Sequence, residues 1–130
     1  MKHRIAAIAS VGALIAGGAL IAGCGDSSDD GGGTSDFKAG LVTDIGGIND
    51  RSFNFLANKG MEDAAADGGF TTEIKESKAE TDYVPNVQRL ITGGTKGIVT
   101  VGFLMGQTTG DMAKKYPDVN FAIVDFSVTD

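Results

Sequence analysis

The sequence is poor in the residues on which most catalytic and metal chemistry depends: its 130 residues include one cysteine, one histidine and two prolines. A single cysteine excludes a disulfide within the chain. Basic residues are few, with 11 Lys and Arg against 17 Asp and Glu, and the net charge of −6 opposes binding to nucleic acid. The histidine is His3, and no metal-ligand spacing or nucleophile–base pair follows it. The sequence therefore predicts neither an enzyme nor a protein with a metal or cofactor.

The first 24 residues have the three regions of an export signal in the usual order. Lys2 and Arg4 give a cationic start, residues 5–22 are apolar or small, and the run ends in Ile21-Ala22-Gly23-Cys24. Glycines and alanines make this run too weakly apolar for a typical transmembrane helix. The last four residues are similar to a bacterial lipobox, in which the cysteine sulfur is acylated before cleavage. We therefore predict a lipoprotein signal peptide over residues 1–23 and a mature chain held at the outer side of the membrane by acyl chains, such as palmitate, on Cys24.

The next segment has the composition of a flexible linker. Residues 25–36 are only glycine, serine, threonine and aspartate, which bury no core. Without residues 1–23 the basic count falls from 11 to 9 against 17 acidic residues, so the charge becomes −8. We assign residues 24–36 to the lipid-bearing cysteine and linker, and residues 37–130 to one small folded domain.

Strand and helix patterns alternate through the folded part. Apolar runs predict strands at residues 39–42, 71–74, 97–101 and 120–124. The second run is the most polar and is typical of an edge strand, whereas the third and fourth are expected to be buried on both faces. Apolar stripes predict helices at about residues 53–65, 82–92 and 105–116. This order predicts an α/β fold with a parallel sheet, whose ligand site lies beyond the carboxyl ends of the strands.

The segment after the first strand concentrates polar side chains at such a strand end. Asp44, Asn49 and Asp50 surround a Gly46-Gly47 pair, and Phe53 begins the first helical stripe. Each has a structural interpretation beside the functional one: Asn49 or Asp50 as a helix cap, Asp44 as a turn residue, and Phe53 as a core residue. Neither a P-loop nor a dinucleotide-binding G-x-G-x-x-G motif is present. Two carboxylates would repel an anion, so the expected ligand is neutral or cationic.

Three segments carry a resemblance to a known family. Residues 41–54 (LVTDIGGINDRSFN) resemble the opening signature of the basic membrane protein family, and residues 102–105 and 116–125 are similar to that family too. Its members are bacterial lipoproteins that serve as substrate-binding components of ABC transporters, commonly for purine nucleosides. The resemblance extends over the whole folded part. One departure is Asn49, where members usually carry a second aspartate.

The resemblance implies a role for each strand-end residue. Phe53 would stack on the base, a contact worth about 1–3 kcal/mol that is insensitive to base identity. Asp44 and Asp125 would accept hydrogen bonds from the base or ribose, while Asp50 and Asn54 would position the helix end or contact the ligand through water. The full set of expected ligand-binding residues is Asp44, Asn49, Asp50, Phe53, Asn54, Gly102, Phe103 and Asp125. Phe103 could equally be a core residue.

The resemblance also implies an architecture and partners. Family members have two α/β lobes of the type I periplasmic-binding fold, so residues 37–130 would form an incomplete first lobe. The partners would be a small solute, the transporter permease and the membrane through the lipid anchor. Because tight sites bury most of a ligand, we expect this lobe to bind a nucleoside weakly or not at all. The alternatives are a surface lipoprotein with a structural or interaction role and a sugar-type solute-binding lobe. A phosphorelay receiver domain is disfavoured, because Gly102-Phe103 stands where its phosphorylated aspartate would be.

Overall fold

The computed structural model describes residues 35–127. The predictions made for the signal peptide, for Cys24 and for most of the linker lie outside the described residues. In the described range, helices and strands alternate as β1 Lys38–Val42, α1 Phe53–Gly68, β2 Thr71–Lys75, α2 Tyr83–Thr92, β3 Gly97–Val101, α3 Gly106–Lys115 and β4 Asn120–Val124. Short 3₁₀ helices, Glu80–Asp82 and Phe103–Met105, precede α2 and α3. Between residues 35 and 127, none of the helices has the length and apolar character needed to cross a membrane.

The four strands form one parallel sheet in the order β2-β1-β3-β4. The predicted α/β fold is confirmed, and so is the prediction that β2 lies at an edge. From β1 the chain moves outward to β2 and then returns past β1 to β3. The direction of winding therefore reverses between β1 and β3, and crevices at such a reversal, outside the carboxyl ends of the strands, are where α/β sheets bind ligands.

The two faces of the sheet are covered by different helices. Gly40 of β1 faces α2, because a side chain there would meet the Leu90 side chain at 2.6 Å. Its neighbour Ala39 points to the other face, where Ala57 of α1 lies close by. The main core lies on the α2 and α3 face and consists of Val42, Tyr83, Val87, Leu90, Ile98, Met105 and Met112.

The prediction that β4 is buried on both faces is wrong for the part of the chain the structure describes. β4 pairs with β3 along one edge only, and Asn120 and Ala122 are exposed. Phe121 and Ile123 are half-buried because they point toward the α3 side of the sheet and pack against the core there. The apolar run in β4 resembles that of a central strand, but a run of residues does not reveal how many neighbours the strand has.

Candidate ligand-binding site at the strand ends

Asp44 lies two residues beyond the end of β1, and only one of its two carboxylate oxygens is hydrogen-bonded. Its Oδ1 accepts hydrogen bonds from the Gly46 N–H at 2.9 Å and from Asn54 Nδ2 at 2.8 Å. No hydrogen bond to Oδ2 is present among residues 35–127. Asp44 therefore acts as a turn residue through Oδ1. Its Oδ2 has no protein donor there and can accept a hydrogen bond from a ligand.

Asp50 caps the first turn of α1. Its Oδ1 accepts from the backbone N–H groups of Ser52 and Phe55 at 2.8 and 3.0 Å, and its Oδ2 accepts from the N–H and Nδ2 of Asn54, both at 3.1 Å. Desolvation would raise the pKa of Asp50, but these donors together lower it below its ordinary value. The capping interpretation therefore holds for Asp50, while the exposed Asn49 takes no part in the cap.

Asn54 joins the two carboxylates. It lies in the first turn of α1, is 3% exposed, and donates from Nδ2 to both Asp44 and Asp50. Its Oδ1 is buried and has no hydrogen-bond partner among the described residues. The start of α1 and the end of β1 are thus fixed to each other through a single buried amide.

Gly102 brings the next strand end against this turn. Its φ of 100° is a conformation open mainly to glycine, and a side chain at this position would overlap with the Asp44 carboxylate. The Gly102 N–H donates to the Val124 carbonyl at 3.0 Å, which ties the end of β3 to the end of β4. Asp125 follows β4 with a φ of 64° and is exposed. Asp44, Gly102 and Asp125 therefore follow the neighbouring strands β1, β3 and β4, all at the carboxyl ends of the strands.

Exposed apolar side chains surround the polar groups. Phe53 is 51% exposed and Phe103 is 64% exposed, so the interpretation of either ring as a core residue is wrong. Ile45, at the tip of the turn, is 53% exposed. Large exposed apolar groups beside open hydrogen-bonding atoms are typical of the lining of a small-molecule site.

The site is acidic. Carboxylates from three of the strand-end segments lie at this edge, namely Asp44, Asp50, Glu76 and Asp125, whereas Arg51 is the one basic residue between Asp44 and Asn54. Sequence reasoning missed Glu76, whose carboxylate accepts a hydrogen bond from the Ile48 N–H at 3.0 Å. Its position directly after β2 was the signal that would have found it.

Two apolar cavities lie elsewhere, along the faces of the sheet. One of about 390 Å³ lies beside α1, and one of about 360 Å³ lies between α3 and β4. None of the eight expected ligand-binding residues lines either cavity. Because both walls are almost entirely apolar, neither offers the convergent polar groups of a specific solute site.

A parallel sheet of this order, with polar residues at the strand ends, is a doubly wound α/β lobe, and the solved structures that it resembles include ABC solute-binding proteins. An ABC transporter solute-binding protein of Aeropyrum pernix K1 has the same fold, with a TM-score of 0.65 at 25% identity over 72% of this chain and 26% of its own. A family model described as ABC transporter substrate-binding protein PnrA-like matches residues 37–130. The chain belongs to this family, the Bmp family, as the motif at residues 41–54 indicated.

Individual relatives agree with this assignment. The chain is 35% identical to the ABC transporter nucleoside-binding protein BmpA of Lactococcus lactis over its whole length, and spans 38% of that protein. It is 34% identical to an uncharacterised lipoprotein of Pyrococcus horikoshii over 96% of its length, and spans 31% of that one. The chain thus covers less than half of either relative.

Proposed function

We propose that this chain is a solute-binding lobe of an ABC importer lipoprotein and that its strand-end site binds a purine nucleoside. One observation carries the proposal. Asp44 has a carboxylate oxygen without a hydrogen bond among residues 35–127, and the half-exposed Phe53 begins the helix whose next residue, Asn54, holds Asp44 in place. An exposed aromatic ring and a hydrogen-bond acceptor on the same strand-to-helix connection match a ligand with a planar base and N–H or O–H donors.

The charge of the site supports a neutral ligand. Four carboxylates lie at the carboxyl ends of the strands against one basic residue of the turn, Arg51, so a phosphate group there would meet net repulsion. Nucleosides and sugars lack that charge, whereas nucleotides carry it. The name of the Lactococcus relative, a nucleoside-binding protein, favours the nucleoside among the neutral candidates.

The proposed setting is the outer side of the cell membrane. Relatives from Pyrococcus are named lipoproteins, and residues 21–24 have the lipobox pattern that would place lipid on Cys24. The proposed partner is the permease of an ABC transporter, to which the loaded protein would deliver its solute. A sugar-type solute is the second candidate, because ribose-like hydroxyls also donate to carboxylates.

The test is a titration of the chain followed by its nitrogen–proton correlation spectrum, which detects weak binding residue by residue. Guanosine, adenosine and inosine are compared with ribose and with guanosine monophosphate. We expect the nucleosides to shift the amides of residues 44–54, 102–103 and 125, and to leave Gly93 and Gly94, at the opposite edge of the sheet, unchanged.

The outcomes separate the candidates. Shifts with ribose alone favour the sugar-type solute, and a stronger response to the monophosphate than to guanosine contradicts the charge argument. The proposed site is contradicted if only the amide resonances of residues lining the two apolar cavities shift, or if no compound shifts any resonance. Calorimetric affinity in the micromolar range or tighter would show that the expectation of weak binding is wrong.

A further inference from the structure

The turn that carries Asp44 is held at both ends by the two residues that follow β2. At its far end, the Ile48 N–H donates to Glu76 Oε2 at 3.0 Å. At its near end, Thr43 Oγ1 accepts from the Ser77 N–H at 3.3 Å. Glu76 and Ser77 are adjacent in the chain, so one dipeptide spans the whole turn.

Glu76 fits closely against the backbone of the turn. Gly47 has a φ of 65°, and a side chain there would place its first carbon 2.7 Å from Glu76 Oε2. The absence of a side chain at Gly47 therefore lets the carboxylate reach the N–H of the next residue. Without this acceptor, the Ile48 N–H has no other hydrogen-bond partner among the described residues.

The dipeptide is itself anchored to the core through α2. Asn86 is 5% exposed and donates from Nδ2 to Ser77 Oγ at 3.1 Å and to the Glu76 carbonyl at 3.3 Å. Arg89 in turn donates to Asn86 Oδ1 at 3.1 Å. The turn is thus fixed to α2, which also supplies Tyr83, Val87 and Leu90 to the main core. Attachment to a packed helix gives the turn the rigidity that a binding site needs.

We propose that Glu76 is a positioning residue for solute binding, a step that rests on the proposed function. It holds the turn so that the open oxygen of Asp44 faces the ligand, and it does so as a hydrogen-bond acceptor for the Ile48 N–H. Because the Glu76 side chain is exposed and outside the core, its loss leaves the fold intact and changes the shape of the turn.

The experiment compares Glu76→Ala, Glu76→Gln and Glu80→Ala in the full chain. Glutamine keeps an acceptor oxygen and removes the charge. Glu80 is exposed in the same segment, and its side chain makes no hydrogen bond within residues 35–127, so Glu80→Ala controls for the loss of charge. Two quantities are measured: amide hydrogen exchange at Ile48 without ligand, and guanosine affinity from the spectral titration.

We expect Glu76→Ala to speed Ile48 exchange and to weaken guanosine binding by about three- to tenfold, the effect of one lost hydrogen bond. Glu76→Gln and Glu80→Ala should match the unaltered chain in both measurements. Unchanged Ile48 exchange in Glu76→Ala overturns the proposal, and so does faster exchange with unchanged affinity. If the unaltered chain binds no nucleoside, the proposed function fails, and the exchange rates alone decide whether Glu76 holds the turn.

Discussion

The Asp44 carboxylate lies against the α-carbon of Gly102, in the space that a side chain at position 102 would fill. Gly102 also has a φ of 100°, which a residue with a side chain rarely adopts. The Asp44 carboxylate after β1 and the glycine backbone after β3 therefore pack against each other. They meet where the direction of winding of the sheet reverses, between β1 and β3.

Replacing Gly102 by alanine tests this fit. The backbone conformation alone should cost about 1–3 kcal/mol, and the overlap with Asp44 should add to it. Gly94→Ala is the matched control, because Gly94 has a φ of 84° and open space where a side chain would stand. We expect a larger loss in the free energy of urea unfolding for Gly102→Ala than for Gly94→Ala. Equal losses would show that Asp44 moves aside freely.

Asp50 should make the fold sensitive to acid. Its lowered pKa means that its stabilisation is fully present above the unfolded-state pKa of about 3.9 and is lost as the pH falls through the folded-state value. Asp50→Asn should lower the free energy of unfolding at neutral pH by about 0.5–2 kcal/mol, as for other lost helix caps. Below about pH 4, the difference in the free energy of unfolding between the unaltered chain and Asp50→Asn should then become smaller.

The control for this comparison is Asp67→Asn, which makes the same change in charge at an exposed position near the end of α1. It should leave the stability at neutral pH nearly unchanged. The role of the ionised carboxylate would be contradicted if the free energies of unfolding of Asp50→Asn and the unaltered chain differed by the same amount at neutral pH and below pH 4.

The sequence predicted the strands, the helices and the edge of the sheet at which the polar residues meet. Short apolar runs located each strand to within one residue, because they stand out against the helical stripes. The strand-end rule then placed Asp44, Gly102 and Asp125 at one edge, because parallel strands end on the same side.

Contacts between distant segments were beyond sequence reasoning. Phe53 starts an apolar stripe, yet the neighbouring Asn54 turns inward, because its amide bonds two carboxylates that the stripe does not reveal. The bond from Ile48 to Glu76 joins residues 28 positions apart, and only the pairing of β1 with β2 brings them together. Hydrophobic patterns record which residues avoid water, and they carry little information about which polar groups meet.

The hydroxyl of Tyr83 is buried near the turn that carries Asp44 and has no hydrogen-bond partner among residues 35–127. The residue as a whole is 2% exposed. Burial is the main reason that its pKa is raised, and the nearby Asp44 charge adds to this. Because an unpaired buried hydroxyl costs free energy, Tyr83→Phe should raise the free energy of unfolding by about 1 kcal/mol.

Thr95 offers a matched comparison for this hydroxyl. Its Oγ1 is also buried without a partner, but it lies just before β3, at the opposite edge of the sheet from Asp44. Thr95→Val should raise the free energy of unfolding in the same way, measured by urea denaturation of both variants. A loss of stability confined to Tyr83→Phe would show that the phenol hydroxyl forms a bond to the turn in solution.

Phe53 should contribute to binding and hardly at all to stability. Its ring is 51% exposed, so Phe53→Ala removes little buried surface but takes away the flat surface proposed for the base. Lost stacking should weaken guanosine binding by about 1–3 kcal/mol, which in the spectral titration removes most of the shifts at residues 44–54. Phe55→Ala is the matched control, since Phe55 is 46% exposed and points from another side of α1. Equal effects of the two substitutions on affinity would contradict a stacking role for Phe53.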